Sequence, residues 1–176
     1  MRTFIAIDLP KEVKDYLFKL PKKIKGAKVK WTSKKNLHIT MQFLGELPEE
    51  TVDKIKEVIK TIKFKPFKVK LSQIGFFPNE KAPKIIWLGV EPREEVYQLA
   101  QTIDAELLAF TKEQRFETHI TLGRMKGIKK KDDFYKSIKE LEIESIEFEI
   151  NSFTLYKSVL KREGPQYYPI ENVEMS

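Results

Sequence analysis

The chain has 176 residues, of which 41% are hydrophobic and 34% are charged, and it carries a net charge of +7. This length and apolar content favour one ordered unit with a sizeable core over a disordered chain. The absence of cysteine excludes disulfides, thiolate zinc sites and a cysteine nucleophile. No run of about 18 apolar residues occurs, so we expect no transmembrane helix and, by default, a cytoplasmic location.

The positive charge favours polyanionic partners such as nucleic acid. Lysine and glutamate are interspersed along the chain, which is also typical of the solvated surface of a heat-stable protein. Charge therefore does not decide between these two interpretations.

In chain order, the first half begins with an apolar strand over 4–7 and a helix start at Asp8-Leu9-Pro10. An amphipathic helix follows, because apolar residues recur there at spacings of three and four. Next come a strand that contains His38, a second helix over about 49–62 and an alternating strand over 67–71.

The second half repeats this order at a constant offset of 81 residues. It contains a strand over 85–90, an amphipathic helix, a strand with His119, a charged linker over 126–131, a helix over 131–141 and a strand over 146–150. His38-Ile39-Thr40 recurs as His119-Ile120-Thr121.

The repeat predicts an α+β fold of two pseudo-twofold-related lobes formed by internal duplication. We expect each lobe to be a mostly antiparallel sheet covered by helices, with a central cleft between the lobes. The repeat units run over roughly 1–80 and 82–160, and a C-terminal extension completes a single bilobal domain of residues 1–176.

Both histidines of the chain lie in these predicted strands. Alternation along a strand puts His38, Thr40 and Gln42 on one face and the neighbouring apolar residues, among them Phe43, on the other. His119 and Thr121 share a face in the same way. If the lobes pack about a twofold axis, the two polar faces meet across the cleft.

Two imidazoles in one cleft suit acid–base chemistry at a phosphorus atom. The neutral ring takes a proton from the attacking oxygen, and the charged ring gives one to the leaving oxygen. Threonine hydroxyls can donate hydrogen bonds to the non-bridging phosphate oxygens. A metal site is disfavoured, because two histidines without clustered carboxylates make a poor ligand set. A serine triad is disfavoured because no Gly-x-Ser-x-Gly motif is present.

The ordered set of motifs resembles the two-histidine phosphoesterases, and within them the archaeal and bacterial RNA 2',3'-cyclic phosphodiesterases, long labelled 2'-5' RNA ligases. The resemblance spans essentially the whole chain. Thr118 departs from the family pattern, which commonly has proline before the histidine. The matching stretches are residues 2–8, 31–32, 36–45, 75–78, 86–90, 116–124, 155–158 and 164–168.

The resemblance implies that His38 is the proton donor to the leaving 3'-oxygen and that His119 is the proton acceptor that activates water, with no metal or other cofactor. It also implies that Thr40 and Thr121 bind the phosphate and that Arg124 supports the phosphate or the adjacent nucleotide, with a surface salt bridge as the alternative for Arg124. Phe4 is a candidate for stacking on the terminal base, with a place in the core as an equal alternative, and Tyr168 and Ser158 are weaker candidates. The near-symmetry of the repeat does not itself assign the acid and base roles.

The implied substrate is RNA with a 2',3'-cyclic phosphate terminus, with tRNA fragments among the candidates, and the implied product is a 2'-phosphate. The protein is expected to be a monomer. One alternative is 2'-5' ligation of RNA halves, in which a 5'-hydroxyl replaces water. Another is a non-catalytic module that binds RNA ends, which would make no demand for two histidines.

Overall fold

The computed structural model describes residues 1–112 and 116–176. Within these ranges the chain forms, in order, β1 (Arg2–Asp8), α1 (Lys11–Lys19), a 3-10 helix (Leu20–Lys23), β2 (Ala27–Trp31), a 3-10 helix (Lys34–Asn36), β3 (His38–Glu46), α2 (Glu49–Ile59), β4 (Phe67–Phe77), β5 (Ile85–Glu91), α3 (Arg93–Glu106), β6 (Ile120–Ile128), α4 (Lys131–Glu140), β7 (Glu147–Ile150), β8 (Ser152–Lys161) and β9 (Gly164–Glu174).

All nine of these strands belong to one antiparallel sheet in the order β7-β4-β5-β6-β3-β1-β8-β9, with β2 paired to β6. The two halves of the sheet join where Ile39 of β3 pairs with Ile120 of β6. These isoleucines are equivalent in the repeat, so the local twofold axis passes between them. The predicted α+β fold of two related lobes is confirmed, and the lobes share one continuous sheet.

The closing strand of each repeat lies in the opposite half of the sheet. β4, which ends the first repeat, pairs with β5 of the second repeat, and β8, from the second repeat, pairs with β1 of the first. Long-range pairing therefore holds the two repeats together more firmly than a simple contact between two lobes would.

Helices cover one face of the sheet, and their apolar residues form the core with the inward residues of the strands. Phe134 of α4 is fully buried and packs edge-on against Phe76 of β4. The helices predicted over 49–62 and 131–141 are confirmed as α2 and α4. The linker predicted over 126–131 is wrong in its first part, because β6 continues to Ile128 where β2 pairs with it.

A β-bulge interrupts β3 and β6 at equivalent positions. Ile5 pairs with Gln42 and Ala6 with Thr40, which leaves Met41 as the extra residue. Ile86 pairs with Gly123 and Trp87 with Thr121, which leaves Leu122 as the extra residue. The two repeats therefore share the position of the bulge as well as the order of their elements.

The bulge changes which side chains face the helices. Gln42 was predicted on the polar face, but it is 2% exposed and its amide nitrogen donates to Asp104 of α3 at 2.9 Å and to Thr111 at 3.3 Å. Phe43 was predicted on the apolar face, but it is 65% exposed and pairs across the sheet with Phe4. Both predictions are wrong because simple alternation does not survive an extra residue in the strand. In the described ranges, no helix is both long and apolar enough to cross a bilayer.

Candidate active site

The two histidines lie on opposite sides of the Ile39–Ile120 pair. Extending that antiparallel register by one residue each way puts His38 opposite Thr121 and Thr40 opposite His119. Residues directly opposite each other have Cβ atoms about 4.5–5.5 Å apart. Both isoleucines are fully buried, so the histidines and threonines occupy the other face of the sheet. The structure therefore brings together the four residues that the sequence predicted.

Each imidazole is oriented by the backbone carbonyl two residues before it. Nδ1 of His38 lies 2.5 Å from the carbonyl oxygen of Asn36, and Nδ1 of His119 lies 2.7 Å from that of Glu117. A carbonyl oxygen only accepts, so Nδ1 must carry the proton in both rings. Nε2 is therefore the nitrogen that takes up or releases a proton in each histidine.

The free Nε2 positions differ between the two rings. Nε2 of His38 lies 2.7 Å from the hydroxyl oxygen of Thr40, which donates to the neutral ring. Among the described residues, His119 and Thr121 make no corresponding hydrogen bond. The hydroxyl of Thr40 is thus hydrogen-bonded to His38, whereas that of Thr121 makes no hydrogen bond to His119 among the described residues.

Burial lowers the pKa of both histidines below the ordinary value of 6.5, because it disfavours the charged ring. For His38 the hydrogen bond to Asn36 and the negative charge of Asp8 oppose this effect, while the charge of His119 adds to it. For His119 the backbone and the carboxylate of Glu117 oppose it. The pKa of His38 therefore responds to the charge of His119, which suits one acid and one base in a shared site.

Aromatic rings support His38 on the side of β1 and β9. The ring centroid of Phe4 lies 5.3 Å from that of His38, and the ring of Tyr167 meets His38 edge-on at 5.5 Å. Phe4 is itself only 5% exposed, because Tyr156 stacks on it and Tyr167 covers it edge-on. The faces of Phe4 are covered by these rings, so we replace the prediction of base stacking on Phe4 with a supporting role for His38.

Different aromatic rings support His119. Phe77 of β4 meets His119 edge-on at 5.1 Å, and the centroid of Trp87 of β5 lies 6.2 Å away. The Trp87 indole lies over Gly75, where any Cβ would overlap it. Gly75 is therefore needed for a close approach of backbone and indole.

A cavity of about 270 Å³ opens beside His38. Its lining combines aromatic, charged and amide side chains: Asp8, Lys35, Asn36, His38, Tyr156, Gln166, Tyr167 and Pro169. The amide of Asn36 donates to the carbonyl oxygen of Pro165 at 2.8 Å, which fastens the start of β9 to the backbone that orients His38. The β8–β9 hairpin thus forms one wall of the cavity.

Sequence reasoning missed several residues of this wall. Tyr156, Gln166 and Tyr167 line the cavity, and their inclusion in the matching segments was the available signal. The candidate Tyr168 is 40% exposed and does not line the cavity, because neighbouring residues of β9 point to opposite faces. Ser158 pairs with Tyr167 and with Arg2 across the sheet, so it lies further out along the same face.

Arg124 lies on the same face as His119, beyond the bulge in β6. Its cross-strand partner Ile85 pairs in turn with Phe77, whose ring contacts His119. Arg124 is exposed, and no ion pair to it occurs among the described residues. Its charge is therefore available to an anion near the second histidine.

The donor set of the site contains two imidazoles and two hydroxyls. In the described part of the chain, no group of three or more histidine, aspartate or glutamate side chains is arranged to hold a metal ion. What the geometry offers is one nitrogen base on each side of a small anion, with hydroxyl donors between them.

The model of the LigT like phosphoesterase family matches the chain twice, over residues 7–87 and 88–167. An RNA 2',3'-cyclic phosphodiesterase of Methanocaldococcus jannaschii is 37% identical over 175 residues, which cover 97% of this chain and 99% of that protein. An enzyme of the same name from Archaeoglobus fulgidus is 34% identical, over 95% of this chain and 96% of its own length.

A crystal structure of Escherichia coli LigT complexed with 3'-AMP superposes with a TM-score of 0.79 at 25% identity, over 99% of this chain and 98% of that one. The two family matches coincide with the two halves of the repeat that carry His38 and His119. This chain therefore belongs to the LigT like phosphoesterase family.

Proposed function

We propose that the protein hydrolyses the terminal 2',3'-cyclic phosphate of RNA to a 2'-phosphate, without a metal ion. The observation that carries the proposal is the Ile39–Ile120 pair, because His38 and His119 lie on opposite sides of this pair and on the same face of the sheet. Membership of the family and its RNA phosphodiesterase relatives support the substrate class.

The reaction needs one proton to enter and one to leave at opposite sides of the phosphorus atom. Nε2 of His119 removes a proton from water as the water oxygen attacks phosphorus. The bond from phosphorus to the 3'-oxygen breaks, and Nε2 of His38 gives its proton to that oxygen. The products are a 3'-hydroxyl and a 2'-phosphate, and the two histidines have exchanged protonation states.

The cavity beside His38 supports this assignment of roles. The leaving 3'-oxygen belongs to the nucleoside, and an in-line attack brings water from the opposite side of the phosphorus. The described cavity of about 270 Å³ lies on the His38 side and has the stacking and polar groups that suit a nucleoside. With the nucleoside there, His38 faces the leaving oxygen and His119 faces the water.

Thr40 and Thr121 are proposed to donate to the non-bridging phosphate oxygens, with Arg124 contributing charge. Thr40 already donates to His38, so a rotation of its hydroxyl would pass that hydrogen bond to the phosphate. Held donors of this kind stabilise the charge that develops in the transition state.

The decisive experiment offers an oligonucleotide with a 2',3'-cyclic phosphate end in the presence of EDTA and identifies the product. A 2'-phosphate is expected from the unmodified protein, and essentially none from His38→Ala or His119→Ala. A 3'-phosphate, or activity that EDTA abolishes, would contradict the proposal. A parallel reaction with added 5'-hydroxyl RNA measures 2'-5' ligation by the same site.

The natural substrate is proposed to be cellular RNA fragments such as tRNA halves, acted on by a monomer. Both histidines and the cavity wall come from a single chain, so the site needs no second copy. Light scattering tests the oligomeric state, and activity that depends on protein concentration beyond proportionality would count against a monomer.

A further inference from the structure

The β2 strand breaks the symmetry of the duplication. It pairs with β6 beyond the catalytic face, with Lys30 opposite Arg124 and Lys28 opposite Gly127. β5 pairs with one edge of β6, so β2 lies on the same edge as β3 and in line with it, beyond the end of β3 that carries His38. Among the described residues, the second repeat has no strand at the equivalent place, residues 108–112.

The two lysines of β2 share the face on which Arg124 lies. Val29 and Trp31 point the other way, because both would meet a Cβ added at Gly123 of β6. Lys28 and Lys30 alternate with them, are exposed and lie about 6.6 Å apart along the strand. Arg124, Lys30 and Lys28 thus form a row that leads away from Thr121, and we call it the cationic row.

The charge of this row is not neutralised by carboxylates of the described residues. No ion pair to any of its three members occurs in ranges 1–112 and 116–176. By contrast, the exposed side chains of Lys68 and Lys70, which alternate with buried residues along β4, are paired with Glu147 at 3.8 Å and Glu91 at 3.4 Å. The cationic row is therefore a local excess of positive charge beside the active site.

We propose that the cationic row binds the sugar–phosphate backbone of the RNA that precedes the cyclic phosphate, so that the preferred substrate is an oligonucleotide rather than a mononucleotide. The inference rests on the proposed function. Lysine and arginine contacts to phosphates position a strand without reading its sequence, which fits an enzyme that recognises an RNA end. A strand edge with regularly spaced cations suits an extended single-stranded backbone.

The test compares kcat/KM for an oligonucleotide of about ten nucleotides with kcat/KM for a nucleoside 2',3'-cyclic monophosphate. The variant is Lys28→Gln/Lys30→Gln, and the matched control is Lys68→Gln/Lys70→Gln. In the first variant we expect the preference for the oligonucleotide to fall roughly tenfold at low salt. For the oligonucleotide, the negative slope of log(kcat/KM) against log[salt] should become shallower by about 0.7 for each phosphate contact that is lost. The control should retain both the preference and the slope.

Equal effects on the two substrates, or equal effects of the two double variants, would overturn the proposal that the cationic row binds RNA. A second measurement tests RNA binding by the row separately from catalysis. It is the equilibrium binding of an oligonucleotide that ends in a 2'-phosphate, measured on the same variants across salt concentrations. If the unmodified protein hydrolyses neither substrate, the proposed function fails, while the binding slopes still decide whether the row contacts RNA.

Discussion

His38 and His119 occupy equivalent positions of a duplicated unit, but their surroundings differ. His38 has a hydroxyl donor at its Nε2 and a cavity beside it, and rings from β1 and β9 enclose it. His119 rests against rings of β4 and β5, and Arg124 lies further along the strand that follows it. The strand segments around the two histidines are equivalent in the repeat, whereas the side chains that pack against the histidines differ.

The comparison shows that duplication accounts for the two histidines. The elements that pack around the repeated strands make the two sides of the site different. The two orienting carbonyls and the two bulges repeat faithfully. The hairpin of β8, from the second repeat, and β9, from the C-terminal extension, closes a nucleoside-sized space on the His38 side. β2, which lies in line with β3, adds positive charge beyond Thr121. In the proposed reaction, this difference gives the site one side for the leaving group and one for the nucleophile.

Removing either imidazole should have the largest effect. His38→Ala and His119→Ala should each lower kcat by about 10²–10⁴-fold, because each removes one proton transfer from the transition state. The double variant should lose much less than the product of the two, since the residues act as one unit. Single-turnover rates with a cyclic-phosphate substrate measure this, and a single variant that keeps a tenth of the rate would break the proposed pairing.

The threonines test whether the two sides share the phosphate equally. Thr40→Val and Thr121→Val each remove a hydroxyl at nearly constant shape and should lower kcat by about 10²–10³-fold if each donates to the developing charge. Thr40→Val also removes the hydrogen bond to Nε2 of His38, so this variant alone should change the pH dependence. A pH profile altered equally by both variants would contradict the asymmetry.

Gly75 tests the aromatic support on the His119 side. Gly75→Ala should destabilise the protein by about 1–3 kcal/mol, because the added methyl group displaces the Trp87 indole. The control is Gly127→Ala, whose Cβ meets nothing within 4 Å. Urea unfolding gives both free energies, and tryptophan fluorescence reports the indole; equal stability of the two variants would rule out the tight contact.

The pH dependence should show the smallest effects and separates the two histidines. Burial lowers the pKa of both rings below 6.5, so the bell-shaped kcat/KM profile should have its maximum below about pH 6.5. A maximum clearly above neutral pH in the unmodified protein would contradict the burial of the pair.

Two carboxylates should move opposite sides of that profile. Above both pKa values the rate follows the protonated fraction of His38, and Asp8→Asn lowers the pKa of His38 by removing a negative charge. The loss also leaves Lys14 without its ion pair, 2.7 Å long, which acts in the same direction. This variant should therefore lose rate on the alkaline side, by less than about tenfold, and keep it on the acidic side.

Glu117→Gln should do the reverse. Below both pKa values the rate follows the neutral fraction of His119, and removing the Glu117 charge lowers the pKa of His119. The rate should rise on the acidic side, again by less than about tenfold, and stay constant on the alkaline side. Two variants that move the same side of the profile would invalidate the assignment of the acid and the base.

Much of the fold was predictable because it depends on local pattern. Apolar alternation located the core strands, and spacings of three and four located α2 and α4. The recurrence of His38-Ile39-Thr40 as His119-Ile120-Thr121 is enough to predict the centre of the site. For Phe4 the sequence left base stacking and a place in the core open, because it gives the strand position of Phe4 and not the rings that cover it.

The sequence by itself determined the duplicated order of elements, the pairing of each histidine with a threonine, and the excess of positive charge. The tertiary structure decided the rest: the bulges that turn Gln42 inward, the exchange of β4 and β8 between halves, and the approach of Tyr167 to His38. The physical reason is that side-chain periodicity is a local property, whereas strand partners and extra residues in a strand are fixed only by packing between distant segments.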